Sequence, residues 1–200
     1  MRKVGIMGGT FDPIHNGHLT LAREALKQFE LAEVLFMPCG VPYMKSARKV
    51  ESGQVRAKMT ALAIQGIPEF TLSTIEMEQP GDTYTYETLE YLRKINPDTE
   101  YYFIVGADSL FHMTKWRCPE RIFSNCCILA AVRDDKTICD MEDKIAELKR
   151  LYHADIQLLQ IDCMDISSSD IRRKVSSGES VEHDVPEPVR DYIERKGLYQ

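Results

Sequence analysis

KVGIMGGTFDPIHNGHL, Lys3 to Leu19, is the stretch whose reading decides how this chain folds. A short apolar run, Val4 to Met7, leads to Gly8 and Gly9, a polar turn, and a segment of helical character starting near Asn16. Strand, turn and helix in that order open a nucleotide-binding βαβ unit. The glycine pair is expected to bring the backbone close to a ligand, because no Cβ obstructs it and a positive φ costs little there. A phosphate can then rest against main-chain N–H groups. His15 and His18 are three apart, so on a helix they share a face near its N-terminus, where the dipole and unpaired N–H groups favour anions. The same pair also has a plainer reading, capping or solvating the helix start. The spacing fits neither G-x-G-x-x-G nor G-x-x-x-x-G-K-[ST], so neither a standard dinucleotide fingerprint nor a Walker loop is implied.

Outward from that stretch, Leu19, Ala22, Leu26 and Phe29 carry helical spacing, and Val34 to Met37 reads as a second strand ended by Pro38. Cys39 to Gln54 breaks into a long loop with Lys45, Arg48 and Lys49, and loops of that length in a compact domain are usually functional or mobile. Arg56, Met59 and Ala63 begin another helix, stopped by Gly66 and Pro68. Phe70 to Ile75 reads as a strand, and Tyr84 to Ile95 as a helix closed by Asn96-Pro97. Tyr101 to Val105 and Ile128 to Val132 are nearly continuous apolar runs, as expected of parallel strands covered on both faces. A charged amphipathic helix, Met141 to Tyr152, a short strand, Ile156 to Ile161, and two helix candidates between Ser167 and Gln200 complete the chain. Strands alternating with helices predict an α/β fold with a doubly wound, Rossmann-like parallel sheet flanked by helices. One domain over residues 1–200, with a small helical C-terminal part from about 163, is expected. Ligands of such sheets bind outside the carboxyl ends of the strands.

At 200 residues, 44% hydrophobic and 28% charged, the composition is that of an ordinary globular chain. No apolar run approaches the roughly 18 residues of a spanning helix, and Met1 leads into a strand without a signal-peptide pattern, so a cytoplasmic protein without membrane contact is expected. A net charge of −6 speaks against indiscriminate attraction to nucleic acid. Six cysteines without C-x-x-C or metal-ligand spacing read as reduced, mostly buried thiols, and no metal ligand set is recognised.

A second diagnostic stretch is ISSSDIRRK, Ile166 to Lys174, whose serines suit a helix N-cap and whose Arg172 lies about one turn inside the helix start. GGTFDPIHNGHL resembles the (H/T)xGH-type signature of the nucleotidyltransferase superfamily, and most closely its form in the bacterial nicotinate mononucleotide adenylyltransferase family. ISSSDIR is similar to that family's ISST-x-IR segment, with Ser169 in place of Thr. DTYTYETL (Asp82 to Leu89) and FIVGADSLFHMTKWR (Phe103 to Arg117) resemble two further family segments, as does DYIERKGLY at the end. PCGVPYMK, Pro38 to Lys45, keeps the family's Lys but has Tyr43 and Met44 where Pro and His are usual.

The resemblance implies adenylyl transfer from ATP to nicotinate mononucleotide, giving deamido-NAD and pyrophosphate in NAD biosynthesis. It implies catalytic roles for His15, His18, Lys45 and Arg172. ATP would be met by Gly8, Gly9, Thr10, Phe11, His15, His18, Gly106, Asp108, Ser167, Ser168 and Arg172. The mononucleotide would be met by Thr10, Lys45, Tyr84, Thr85, Trp116 and Arg133, with Trp116 stacked on the pyridine ring. Read without the resemblance, Trp116 is a half-buried packing residue and Asp108 a helix cap. Because the attacking phosphate oxygen is already ionised, alignment and charge neutralisation suffice, with Mg²⁺ carried on the ATP phosphates. Preference for nicotinamide mononucleotide or phosphopantetheine, or a non-catalytic nucleotide-sensing role, are the alternatives, and homo-oligomerisation stays open. An RNA-binding relative of the class I aminoacyl-tRNA synthetases is disfavoured by the acidic balance.

Overall fold

A computed structural model describes residues 1–40, 50–79, 81–132, 138–161 and 166–200, with the side chain of residue 138 left aside. The elements run β1 (Arg2–Gly9), α1 (Asn16–Phe29), β2 (Glu33–Pro38), α2 (Gly53–Ile64), β3 (Phe70–Leu72), α3 (Thr85–Ile95) and β4 (Thr99–Gly106). There follow α4 (Ala107–His112), a 3₁₀ turn (Met113–Lys115), α5 (Pro119–Phe123), β5 (Cys127–Ala131), α6 (Ile138–Tyr152), β6 (Ile156–Leu159), α7 (Ser168–Ser176) and α8 (Glu187–Lys196). The strands form one parallel sheet in the order β3-β2-β1-β4-β5-β6. This is the doubly wound arrangement, in which the chain leaves β1 toward one edge and returns to build the other half from β4, opening a crevice between β1 and β4.

Side-chain alternation along each strand feeds two apolar clusters, one per face. Met7, Ile104, Leu129 and Ala131 pack with Leu19, Ala22 and Ala25 of α1, Met59 and Ala63 of α2, Ile171 of α7, and Val189 and Ile193 of α8. Val4, Ile6, Phe103, Val105 and Ile128 pack with Leu89 and Leu92 of α3, Leu110 of α4, Ile122 of α5, and Met141 and Leu148 of α6. Each of the larger of these side chains (Val, Leu, Ile, Phe or Met), fully buried, contributes about 1.5–3 kcal/mol. All of β5 is buried, which explains its uninterrupted apolar sequence.

Several sequence expectations change. The strand expected over Phe70 to Ile75 pairs with β2 only from Phe70 to Leu72, and β6 stops at Leu159 rather than Ile161. Both are edge strands, where one neighbour limits the ladder. The prolines lie at the start of α8: Pro186 caps it and Pro188 sits in its first turn, where a missing N–H costs nothing. Of the described cysteines only Cys126 and Cys127 are buried, so the thiols are not mostly buried; Cys39 and Cys118 are half-buried and Cys139 is exposed. Burial pushes the Cys127 thiol up to about 12, keeping it protonated. Among the described residues no helix is long and apolar enough to cross a membrane.

Candidate active site

Gly8 and Gly9 are the last two residues of β1, and neither has positive φ; Phe11 does, at 49°. The glycines therefore do not use positive φ, though both line the cavity described below. A Cβ on Gly9 would lie 3.0 Å from the Phe11 ring and one on Gly8 3.3 Å from the Phe103 ring, so the pair makes room for two aromatic rings. Phe11, 2% exposed, sits with its centroid 6.2 Å from Phe36 and edge-on to His18 at 5.0 Å.

His15 is the N-cap of α1 in extended conformation and His18 is its third helical residue, so the pair stands at the helix start as the spacing predicts. The His15 N–H donates to His18 Nδ1 at 3.2 Å, a histidine version of the capping box. That bond puts the His18 ring proton on Nε2 and leaves an N–H donor on the ring's other side. The two rings lie 3.7 Å apart, tilted by 31°. A Cβ on buried Gly17 would approach His15 Nδ1 to 3.1 Å, so glycine in the first turn lets the ring lie over the helix start. His15 is 3% exposed, whereas His18 reaches a cavity.

The cavity, about 420 Å³, opens at the carboxyl ends of β1, β2 and β4. Gly8, Gly9, Thr10 and His18 line it together with Tyr84, Thr85 and Trp116, so residues from three sequence segments share one space. Tyr84 caps α3 and Thr85 is its first residue. The Trp116 ring meets Phe103 edge-on at 6.2 Å. Arg117 Nη1 donates to the Tyr84 hydroxyl at 3.0 Å and its guanidinium lies 4.6 Å from the centre of that ring. The Arg117 pKa is raised, chiefly by that bond. Glu76, Thr88, Arg117, Cys39 and Ser109 also line the cavity and escaped the sequence reading. Thr88 Oγ1 donates to Glu76 Oε1 at 2.9 Å, one turn after Tyr84, and burial raises the Glu76 pKa while that bond pulls it back. Glu76 lies in a stretch with no periodicity, so only its partner on the amphipathic α3 could have pointed to it.

The serine-rich segment docks on the same loop from 155 to 160 residues away: Ser168 Oγ donates to the Pro13 carbonyl at 2.9 Å and Arg172 Nη1 to the Asp12 carbonyl at 2.6 Å. Arg172 Nη2 donates to Ser169 Oγ at 2.9 Å, so the serine replacing the family threonine keeps its hydroxyl in use. Ser167 is the N-cap of α7, accepting the Asp170 N–H at 3.1 Å and donating to the Asp170 carboxylate. Gly106 ends β4 and caps α4, and a Cβ there would meet no atom within 4 Å. Asp108 is therefore not the cap but an exposed residue of the first turn. Phe11, His15, Gly106, Asp108, Ser167, Ser168 and Arg172 do not line the cavity. Lys45 and Arg133 lie outside the described residues.

A model of the cytidylyltransferase-like family matches residues 6–174, from β1 to α7. A relative from Lachnoclostridium phytofermentans, named "Probable nicotinate-nucleotide adenylyltransferase", is 46% identical over 199 residues and both chains are covered in full. The chain belongs to the nicotinate-nucleotide adenylyltransferase family. A Streptomyces coelicolor member of the family is 40% identical over 194 residues, covering 97% of this chain and 99% of its own. In fold, the chain is similar to Plasmodium falciparum nicotinic acid mononucleotide adenylyltransferase, solved in complex with NaAD, at a TM-score of 0.82 and 19% identity over 100% of this chain and 98% of that one. Tyr43 and Met44, where this member departs from the family pattern, fall outside the described residues.

Proposed function

We propose that this chain transfers the adenylyl group of ATP to nicotinate mononucleotide, releasing pyrophosphate and forming deamido-NAD. The observation that carries the reading is spatial. Signature residues Gly8, Gly9, Thr10 and His18 share a cavity with Tyr84, Thr85 and Trp116, while Arg172 and Ser168 grip the same loop through Asp12 and Pro13.

In this reading the mononucleotide's phosphate oxygen attacks the α-phosphorus of ATP, the new P–O bond forms as the bond to the bridging oxygen breaks, and pyrophosphate leaves with that electron pair. No base is required to create an anion that is already present. The His18 Nε2–H, the amides after β1 and the Arg172 guanidinium would stabilise charge as it shifts across the triphosphate. His15 orients His18, and Lys45 would add charge from the loop after β2. Ser167 and Ser168 would complete the triphosphate contacts, Gly106 and Asp108 the adenosine end. Trp116, Tyr84, Thr85 and Thr10 would hold the mononucleotide, and Arg133 its phosphate. Mg²⁺ belongs to the proposal as an ion arriving with ATP. The donors assembled here are ring and guanidinium nitrogens, which suit phosphate oxygens, so phosphate and water would be the ion's ligands. Bound there, it would neutralise charge on the departing pyrophosphate.

Pyrophosphate release from ATP, Mg²⁺ and each candidate acceptor tests the assignment. Turnover is expected with nicotinate mononucleotide; turnover confined to phosphopantetheine or nicotinamide mononucleotide, or none at all, would overturn it.

A further inference from the structure

Arg56, in the first turn of α2, heads the fully buried side chains by size and is 2% exposed. Its described partners are all neutral. Nε donates to the Glu51 carbonyl at 3.0 Å, Nη1 to the Thr10 carbonyl at 2.8 Å, and Nη2 to the carbonyls of Cys39 and Gly40, each at 2.9 Å. Cys39 Sγ lies 3.8 Å from Nη1. A buried cation without a carboxylate is costly, and an apolar side chain of similar volume would fill the space without that cost. What the guanidinium adds is the set of carbonyls it gathers.

The Thr10 carbonyl matters most, because it belongs to the peptide that ends in the Phe11 N–H. That peptide is trans, and in a planar trans peptide the C=O and N–H point in opposite directions. Holding the carbonyl toward buried Arg56 turns the N–H away from it. Among the described residues this N–H has no acceptor, while Gly9 and Thr10, just before it, line the cavity. Phe11 is also in the left-handed region, φ 49°, which a bulky residue keeps only when its surroundings hold it there.

We propose that Arg56 is a positioning residue: by gripping the Thr10 carbonyl it aims the Phe11 amide at the ATP phosphates, without touching substrate itself. This rests on the adenylyl-transfer reading. The contacts to Gly40 and Glu51 let the same guanidinium tie the residues flanking 41–49 to the signature loop.

The test uses the full-length protein, with the Phe11 amide resonance followed by ¹⁵N-labelled NMR on adding ATP and Mg²⁺, beside steady-state kinetics and thermal melting. In the parent, ATP is expected to shift the Phe11 amide. In Arg56→Met that shift should vanish while amides of α7 still respond. Turnover should fall at least about tenfold, the worth of one lost phosphate hydrogen bond, with KM for the mononucleotide changed less than about threefold. Arg56→Lys, which keeps the charge but cannot span the Thr10, Cys39 and Gly40 carbonyls together, should show the same pattern and serves if the Met variant does not melt cooperatively. A folded variant of either kind with parental turnover, or with an unchanged Phe11 response, would overturn the proposal. If the parent releases no pyrophosphate with any acceptor, the adenylyl-transfer reading fails instead, and the ATP-only amide measurement still reads Arg56.

Discussion

His18 meets the cavity with a ring whose Nδ1 is already engaged by the His15 amide, so Nε2–H is the group it has to offer. A donor that strengthens as charge grows on the α-phosphate acts on turnover more than on ATP binding. His18→Ala is expected to slow turnover roughly ten- to a hundredfold, from about 1.5–3 kcal/mol of a charge-assisted bond, with modest loss of ATP affinity; equal turnover in pyrophosphate-release assays would contradict this. Trp116→Ala should raise KM for the mononucleotide and leave that for ATP nearly unchanged, and a change confined to ATP would place the indole elsewhere. At this scale the sequence was legible where a motif fixes both residue and role, and less so where geometry decides. The glycine pair lines the cavity, and it also makes room for the Phe11 and Phe103 rings, a service that depends on β4 and could not be read from residues 3–19. Arg56 was legible only as part of the helical spacing with Met59 and Ala63, because the carbonyls it gathers come from distant loops.

The longer elements followed from their patterns. The apolar spacing from Leu19 to Phe29 and the stop at Asn96-Pro97 placed α1 and the end of α3 where they are. Short α4, the 3₁₀ turn and α5 were missed because one or two turns cannot display a helical period; their burial against the sheet holds them instead. The tail after α8 shows how a terminal segment reaches the site. Tyr199 donates its hydroxyl to Asp12 Oδ1 at 2.7 Å, Asp12 is 1% exposed, and the carbonyl of the same Asp12 takes Arg172. The Tyr199 hydroxyl is held well above the usual phenol range by burial and then by Asp12, so it stays a donor. Tyr199→Phe should cost about 1–3 kcal/mol of stability, the penalty for leaving a buried acceptor short of a partner. Chemical denaturation is the check, and a midpoint equal to the parent's would show the bond to be idle.

Across the whole molecule, the sheet order puts β1 beside β4, and so brings residues near position 10, near 84 and near 116 to one cavity. The alternation of strands and helices made this fold readable; the strand order was not, because nothing in local periodicity says which parallel strand lies next to which. Cavity chemistry also leaves a mark on global stability. Burial raises the Glu76 pKa, so through and above the ordinary carboxylate range the unfolded chain gives up this proton before the folded one does. The unfolded state then binds fewer protons, and this group's contribution to stability declines with rising pH until Glu76 ionises in the folded protein too. Glu76→Gln removes that slope: relative to the parent, the variant should gain stability between about pH 4 and neutrality, measured by denaturation at several pH values. A constant difference would mean that Glu76 ionises normally.

The two halves of the account meet on one bound nucleotide. The most direct test is a crystal structure of the chain with a non-hydrolysable ATP analogue and Mg²⁺. His18 Nε2 and the Arg172 guanidinium are predicted to lie within hydrogen-bonding distance of the same triphosphate, with the Phe11 amide facing it. A nucleotide held by one of these segments while the other faces away would contradict the account.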